Sequence, residues 1–334
     1  MAVTAKELAK ELGLSAAAVS MALNGKPGVS AATRRRVLEL AEARGYDMTK
    51  TVAERPQSEV GTIALVVYRK HGAVLTDTPF FFEVISGIET ACAEAHYSLN
   101  VQYLNADTPI EAQFRRLPYC GGMILLATEM KKGDFAPFAK LKLPLVVLDT
   151  YYENLPYDCV LINNFQGAFT AADYVMRKTH AQAGYLRSSY PIGNFDERAD
   201  GFFKAVRENG YSASRSQVLS LAPSMDGAYH DMKHLLEQGE IPARCYFADN
   251  DLIAAGAMKA LKELGYLIPQ QVAVIGFDDM PVCSYTEPAL STVQVPKQYM
   301  GQQAVLRLLH VMQTGDRCRV KLEVNTRLVK RGSV

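Results

Sequence analysis

The residue order predicts an α/β protein: an N-terminal three-helix helix-turn-helix domain, followed by a two-lobed, doubly wound parallel α/β body. Three observations carry this. Residues 4–45 show helix caps and helical apolar spacing without a strand-like run. After Gly61, unbroken runs rich in Val, Ile and Leu alternate with amphipathic stretches, the texture of parallel strands covered on both faces. About 270 residues of that texture exceed what one doubly wound sheet usually needs, so two lobes are expected.

Each element can be read in order. Thr4 followed by Glu7 is a capping box, and Leu8 and Leu12 then share one helix face. Gly13-Leu14-Ser15 breaks that helix and places Ser15 to cap the next. Val19 and Leu23 form an inward i,i+4 pair, and Asn24-Gly25 ends the second helix. Ser30 caps a third helix with Val37, Leu40 and Ala41 inward. Residues 47–60, DMTKTVAERPQSEV, are polar, aperiodic and contain Pro56, so they read as a linker. The expected division is therefore 1–46, helix-turn-helix; 47–60, hinge; 61–334, effector-binding and dimerisation body. Strands are expected at 62–68, 99–104, 122–127, 144–149, 159–163, 183–187, 244–248 and 272–276.

Charge excludes the extremes. Lys plus Arg number 36 against 35 Asp plus Glu, a net of +1, which excludes both a histone-like chain and an acidic disordered one. Divided by segment, residues 1–57 hold nine basic and six acidic residues, or +3, leaving −2 for the remainder. The six cysteines stand singly with no C-x-x-C pair and read as buried thiols, not as a disulfide frame or zinc site. The start, MAVTAKELAK, lacks the apolar region of a signal peptide. The longest apolar runs (IALVVY, MILLA, LPLVVL) last five or six residues, too few for a membrane span. A cytoplasmic location is expected.

Ligands of open α/β sheets bind beyond the carboxyl ends of the strands. Those ends carry Asp149, Asn163-Asn164, Arg187, Asp249-Asn250-Asp251 and Asp278-Asp279, with Phe80, Phe81, Phe82 and Phe247 as nearby apolar faces. Asp, Asn and Arg offer paired donors or acceptors suited to vicinal hydroxyls or a base edge. Singly, such residues often only cap the next helix; as a set they favour a ligand cleft. No catalytic reading competes. G-x-S-x-G, the P-loop and G-x-G-x-x-G after a strand are all missing. Asp278 and Asp279 are adjacent and should point apart, and His230 and His234 lack a third metal ligand and read as surface residues. No catalytic residue, cofactor or metal is expected.

With Val19 and Leu23 inward, the second helix would present Ala16, Ala17, Ser20, Met21 and Asn24 to a major groove. Ala and Met suit thymine methyl groups, and Ser20 and Asn24 can hydrogen-bond a base or phosphate. The helix amino ends at Thr4 and Ser15 can hold phosphates. Arg34, Arg35 and Arg36 add charge on the third helix but point about 100° apart in turn.

VTAKELAKELGLSAAAVSMALNGKPGVSAATRRRVLELAEARGY resembles the N-terminal domain of LacI/GalR-type transcriptional regulators almost without a gap. TIALVVY, PFFFEVISGIE, DERADGFFKAV, FADNDLIAAGAMKALKELGYLIPQQVAVIGFDD and PALSTVQVPKQYMGQQAV continue the resemblance in order. It implies a repressor-like homodimer on double-stranded DNA, its body similar to periplasmic sugar-binding proteins, with an effector between two lobes. By motif, Phe80 and Phe81 would line the pocket from the first lobe and Arg198 would clamp the ligand from the second. Asn164, Phe247, Asn250 and Asp278 would complete it.

Several positions depart from the family. Met21 stands where many members have Arg, Asn163-Asn164 replaces Asp-Asn, and Thr179-His180 replaces Gly-His. YLRSSYP should place Arg187 near the cleft. The wedge Leu of the family's hinge helix falls on Arg55, before Pro56. Arg55 is therefore expected to insert into a narrow minor groove, the alternative being a tether without groove contact. The expected function is a sequence-specific transcriptional regulator, a repressor, binding a palindromic operator under control of a sugar-like effector. The alternative is a cytoplasmic sugar-binding receptor without a DNA role; a metabolic enzyme lacks any supporting motif.

Overall fold

The computed structural model describes residues 3–23, 28–46, 61–70, 79–117 and 119–334. Helices α1 (Ala5–Leu12), α2 (Ala16–Leu23) and α3 (Ala31–Ala43) form the head. The Thr4 amide donates to the Glu7 carboxylate at 2.6 Å while the Glu7 amide reaches the Thr4 hydroxyl at 3.4 Å, the reciprocal capping box. Gly13 ends α1 in the left-handed region at φ 65°, a conformation that costs glycine little. Ser15 and Ser30 accept from the amides of Ala18 and Thr33 at 3.1 Å each, capping α2 and α3. Leu8, Val19, Leu23, Val37 and Ala41 close a small core of their own.

The first lobe is a six-stranded sheet in the order β11-β5-β4-β3-β1-β2. Its strands are β1 (Thr62–Arg69), β2 (Ser98–Asn105), β3 (Gly122–Leu126), β4 (Leu145–Leu148), β5 (Asp158–Ile162) and β11 (Lys321–Val324), all parallel. Side-chain alternation divides β1 between two cores. Ile63, Leu65 and Val67 face one, and Val66 and Tyr68 the other. That is why the strand reads as a continuous apolar run. Helices α4 (Phe80–Glu94) and α11 (Lys297–Thr314) cover one face. They approach so closely that a Cβ on Gly87 would lie 2.0 Å from the Gln298 carbonyl oxygen.

The second lobe is a four-stranded parallel sheet ordered β7-β6-β8-β9, from β6 (Gly184–Ser188), β7 (Val218–Leu221), β8 (Cys245–Ala248) and β9 (Ala273–Ile275). Around it pack α6 (Asn164–Thr179), α7 (Gly193–Glu208), α8 (Met225–Glu237) and α9 (Asp251–Glu263). Short helices α5 (Ile110–Gln113) and α10 (Val282–Tyr285) complete the set. The chain passes between lobes three times: after β5, between β10 (Thr292–Gln294) and α11, and between β11 and β12 (Arg327–Val329). β10 and β12 pair antiparallel.

All eight expected strands are present within two residues of their expected ends. β7, β10, β11 and β12 were not expected, and the two lobes are unequal at six and four strands. Five cysteines are buried and free as expected, but Cys318 is exposed, because it lies in the turn before β11 and not in a core element. Asn24, Arg55 and residues 47–60 lie outside the described residues.

Candidate functional site

The carboxyl ends of both sheets face one cleft. Thr128 and Asp149, just past β3 and β4, and Ile162 at the end of β5 supply one wall with Phe80 and Phe81 at the start of α4. Ile192, Asn194, Phe195 and Arg198 come from the start of α7, and Asn250 and Asp278 from the turns after β8 and β9. The space left between these walls is about 30 Å³, room for a water or two and no more. The lobes are therefore drawn together.

Arg198 organises the second wall. Its Nε donates to Asn164 Oδ1 at 2.9 Å and its terminal nitrogen to Asp278 Oδ1 at 3.2 Å. The other terminal nitrogen donates to the Asp249 carbonyl. The guanidinium also lies 3.7 Å from the Phe277 ring centroid, and the residue is 3% exposed. Burial raises the Asp278 carboxyl above its ordinary value, with Arg198 opposing that rise. Asp278 sits at φ 109° and Asp149 at φ 66°, conformations that cost a non-glycine residue. Strain of this kind gathers at binding sites because the surroundings must impose it.

Among the described residues, side-chain hydrogen bonds join the lobes at the cleft, one of them from Lys297 Nζ to the Asp279 carbonyl at 3.2 Å. Asn194 Nδ2 donates to Asp149 Oδ1 at 3.0 Å, while Thr128 donates to Asp149 Oδ2 at 2.7 Å from the same lobe. Burial pushes Asp149 up to about 6, against these hydrogen bonds and the Arg198 charge. Asp249 is raised to about 7 by burial; it accepts from the Tyr185 hydroxyl and, at 2.7 Å, from the Ser188 amide. Asp251, also raised to about 7 by burial, holds Thr292 and the Met280 amide, at 2.5 and 2.8 Å. Both acids are structural staples of the second lobe.

The structure brings Phe80, Phe81, Arg198, Asn250 and Asp278 onto the cleft. Asn250 also caps α9, its Oδ1 accepting from the Ile253 amide at 2.9 Å. Asn164 stands one layer behind, between Arg198 and Glu197, so it orients the clamp and does not line the wall. Phe247 is a correction. It is wholly buried, stacked with Tyr185 and Phe202, because it lies inside β8 and not beyond its end. Arg187 is a second correction: it pairs with Asp196 at 2.9 Å in solvent, β6 turning its side chain away from the cleft. Phe82 is 73% exposed, one step round α4 from its neighbours. Asp279 points away from Asp278, to Arg331 and Gln294, as expected. His230 and His234 are exposed. Thr128 and Asn194 were missed. The strand-end rule reaches Thr128, and Asn194 precedes Arg198 by one helical turn.

On the head, Ala16, Ala17 and Ser20 are exposed, and half-buried Met21 packs its sulfur over Gly28. Thr4 is engaged by Glu7, which puts a carboxylate at the amino end of α1. The first turn of α2 has no acidic residue, so Ser15 marks the better phosphate position. Among the described residues no group of His, Cys, Asp and Glu could hold a metal, and no helix is long and apolar enough to cross a membrane.

Residues 172–334 match the family described as periplasmic binding protein-like domain. The chain is 30% identical over 310 residues to the HTH-type transcriptional regulator GalS of Salmonella typhimurium, covering 90% of this chain and 88% of that one. Its fold is similar to the transcriptional regulator CelR in complex with cellobiose, with TM-score 0.73, 24% identity and coverage of 99% and 100%. It is also similar to the lac repressor dimer bound to operator and an anti-inducer, with TM-score 0.71, 21% identity and coverage of 100% and 99%.

Proposed function

The chain belongs to the LacI/GalR family of transcriptional regulators, and from that membership we propose a cytoplasmic repressor without catalytic activity. It binds a palindromic operator as a homodimer, and a small sugar-like effector held between the lobes sets its affinity. The observation that carries this reading is the union, in one chain, of an exposed α2 face with a cleft closed by Asn194 and Asp149. A ligand that changes lobe closure changes the spacing of two heads on two half-sites. A sugar receptor without a DNA role has no use for that head.

The cleft favours a neutral effector. Two carboxyls, Asp149 and Asp278, face it, and Arg198 is already held by Asp278, Asn164 and a carbonyl. A phosphate dianion there would meet two acids with no unspent cation. Hydroxyl groups can instead donate to the acids while an apolar ring face lies on Phe80, Phe81 or Phe195.

The test is a thermal-shift series of neutral pentoses, hexoses and disaccharides beside their phosphates and free nucleobases, followed by gel shift on genomic fragments. A bound sugar at 100 times its dissociation constant stabilises by about 2.7 kcal/mol. Neutral sugars should raise the melting temperature and change operator affinity, and phosphorylated forms should do neither. A response to phosphates alone would overturn the neutral-effector reading. Failure to bind any fragment in a salt-dependent, sequence-specific way would overturn the regulator reading.

A further inference from the structure

The carboxyl ends of the first-lobe strands face the cleft, so their amino ends form the opposite face. The chain from the head arrives there, Gly61 leading directly into β1. The turns entering β3, β4 and β11 on this face carry Arg115, Lys140, Lys142, Arg317 and Arg319. Arg115 reaches Glu42 of the head at 2.7 Å.

The acids among them are already neutralised. Buried Asp158 takes Arg307 at 2.9 Å and Arg319 at 3.1 Å, and Asp316 takes Arg307 at 2.9 Å. Lys140 is paired only loosely, 3.6 Å from Glu111 with both side chains about half exposed. Lys142 and Arg317 are exposed and enter no ion pair among the described residues. Both border one groove of about 720 Å³. Two uncompensated cations thus sit on the face where the head is attached, in a body whose overall charge is slightly negative.

We propose that this amino-end face of the first lobe is a second, sequence-independent DNA contact that receives the phosphate backbone flanking the operator. The inference rests on the DNA-binding reading above. Lys142 and Arg317 supply the charge, and the Arg307–Asp158–Asp316 network holds the β11 turn in place. Such contacts add affinity and salt dependence without selecting bases.

The experiment uses the full chain and a symmetric site that it selects from a random duplex library. Two duplexes are compared, one trimmed to the site and one extended by two helical turns on each side, at roughly 10.5 bp per turn. The slope of log Kobs against log salt is measured for the parent and for K142Q/R317Q. Each lost phosphate contact should flatten the slope by about 0.9, so by about 1.8 per protomer and 3.6 per dimer on the long duplex. On the trimmed duplex the two proteins should match. Equal slopes on the long duplex, or the same flattening on both duplexes, would overturn the inference while leaving the regulator reading intact. Selection of no site by the parent protein would overturn both.

Discussion

Replacing Arg198 with Ala removes the cation that is hydrogen-bonded to Asp278, leaving only the more distant charge of Lys297 among the described residues. The arginine spans Asn164, Asp278 and the Asp249 carbonyl and covers the Phe277 ring, and Asp278 itself is 7% exposed. Breaking a buried pair from one side typically costs about 3–5 kcal/mol, because the remaining charge has no partner and no water. The carboxyl can escape by taking a proton, which sets a ceiling on that electrostatic cost. From its ordinary 3.8, the ceiling is 1.36 kcal/mol per pH unit. That is about 6 kcal/mol at pH 8 and about 1.6 kcal/mol at pH 5.

The sign follows from linkage. A carboxyl whose folded-state pKa is raised binds more protons folded than unfolded, so its contribution falls as pH climbs through the folded value and is flat above it. Removing Arg198 raises Asp278 further, since the Arg198 charge opposes the rise. The deficit of Arg198→Ala should therefore be several kcal/mol at pH 8 and should shrink toward pH 5. Adding Asp278→Ala removes the stranded acid and should recover about 1–4 kcal/mol at pH 8. Urea unfolding of the full chain, followed by far-UV circular dichroism because the protein has no Trp, measures all three proteins. A deficit below about 1 kcal/mol at pH 8, a deficit independent of pH, or a double variant no more stable than the single would refute the reasoning.

Closing the lobes buries Asp149 and lifts it to about 6, so closure takes up a proton and is favoured below pH 6, weakening as pH rises through that value. The radius of gyration by small-angle scattering should be smaller at pH 5 than at pH 8, and Asp149→Asn should lose the difference. Gly87→Ala would drive a methyl group to 2.0 Å from the Gln298 carbonyl oxygen; forcing α4 from α11 should cost at least about 1–3 kcal/mol in thermal unfolding. Thr4→Ala removes the α1 capping box, so head amides should exchange faster by about 1 kcal/mol and operator binding should weaken, with effector-induced thermal shift unchanged.

What was legible followed from burial. Parallel strands covered on both faces leave an apolar run, so β1, β3, β4 and β8 show plainly in the residue order. β7 alternates exposed and buried positions and β11 reads KLEV with one buried residue, because both lie at sheet edges. β10 and β12 are only three residues long. At the site, the strand-end rule reached Asp149, Asn250 and Asp278, which follow β4, β8 and β9 at the edge of the cleft. The rule that excludes Phe247 is the same one. Arg198 is carried by a helix from the second lobe, and no local pattern marks which face of that helix meets a distant strand end; the family resemblance was needed to find it.

The closed geometry also says how an effector must act. Every polar side chain on the cleft named above already makes at least one hydrogen bond to the protein, so binding exchanges some hydrogen bonds as well as adding others. The Arg198 cluster joins the second lobe to Asn164 at the crossover and remains within that unit as the lobes move. Across the gap stands the Asn194–Asp149 bond. One such bond contributes about 0.5–1.5 kcal/mol net, or up to about 3 when the acceptor is charged. Losing that bond alone changes the ratio of open to closed forms by roughly 2- to 150-fold. A ligand whose hydroxyls replace Asn194 at Asp149 therefore needs only a modest difference in affinity between open and closed lobes to move the equilibrium, and that difference is all it can transmit to the DNA-binding heads.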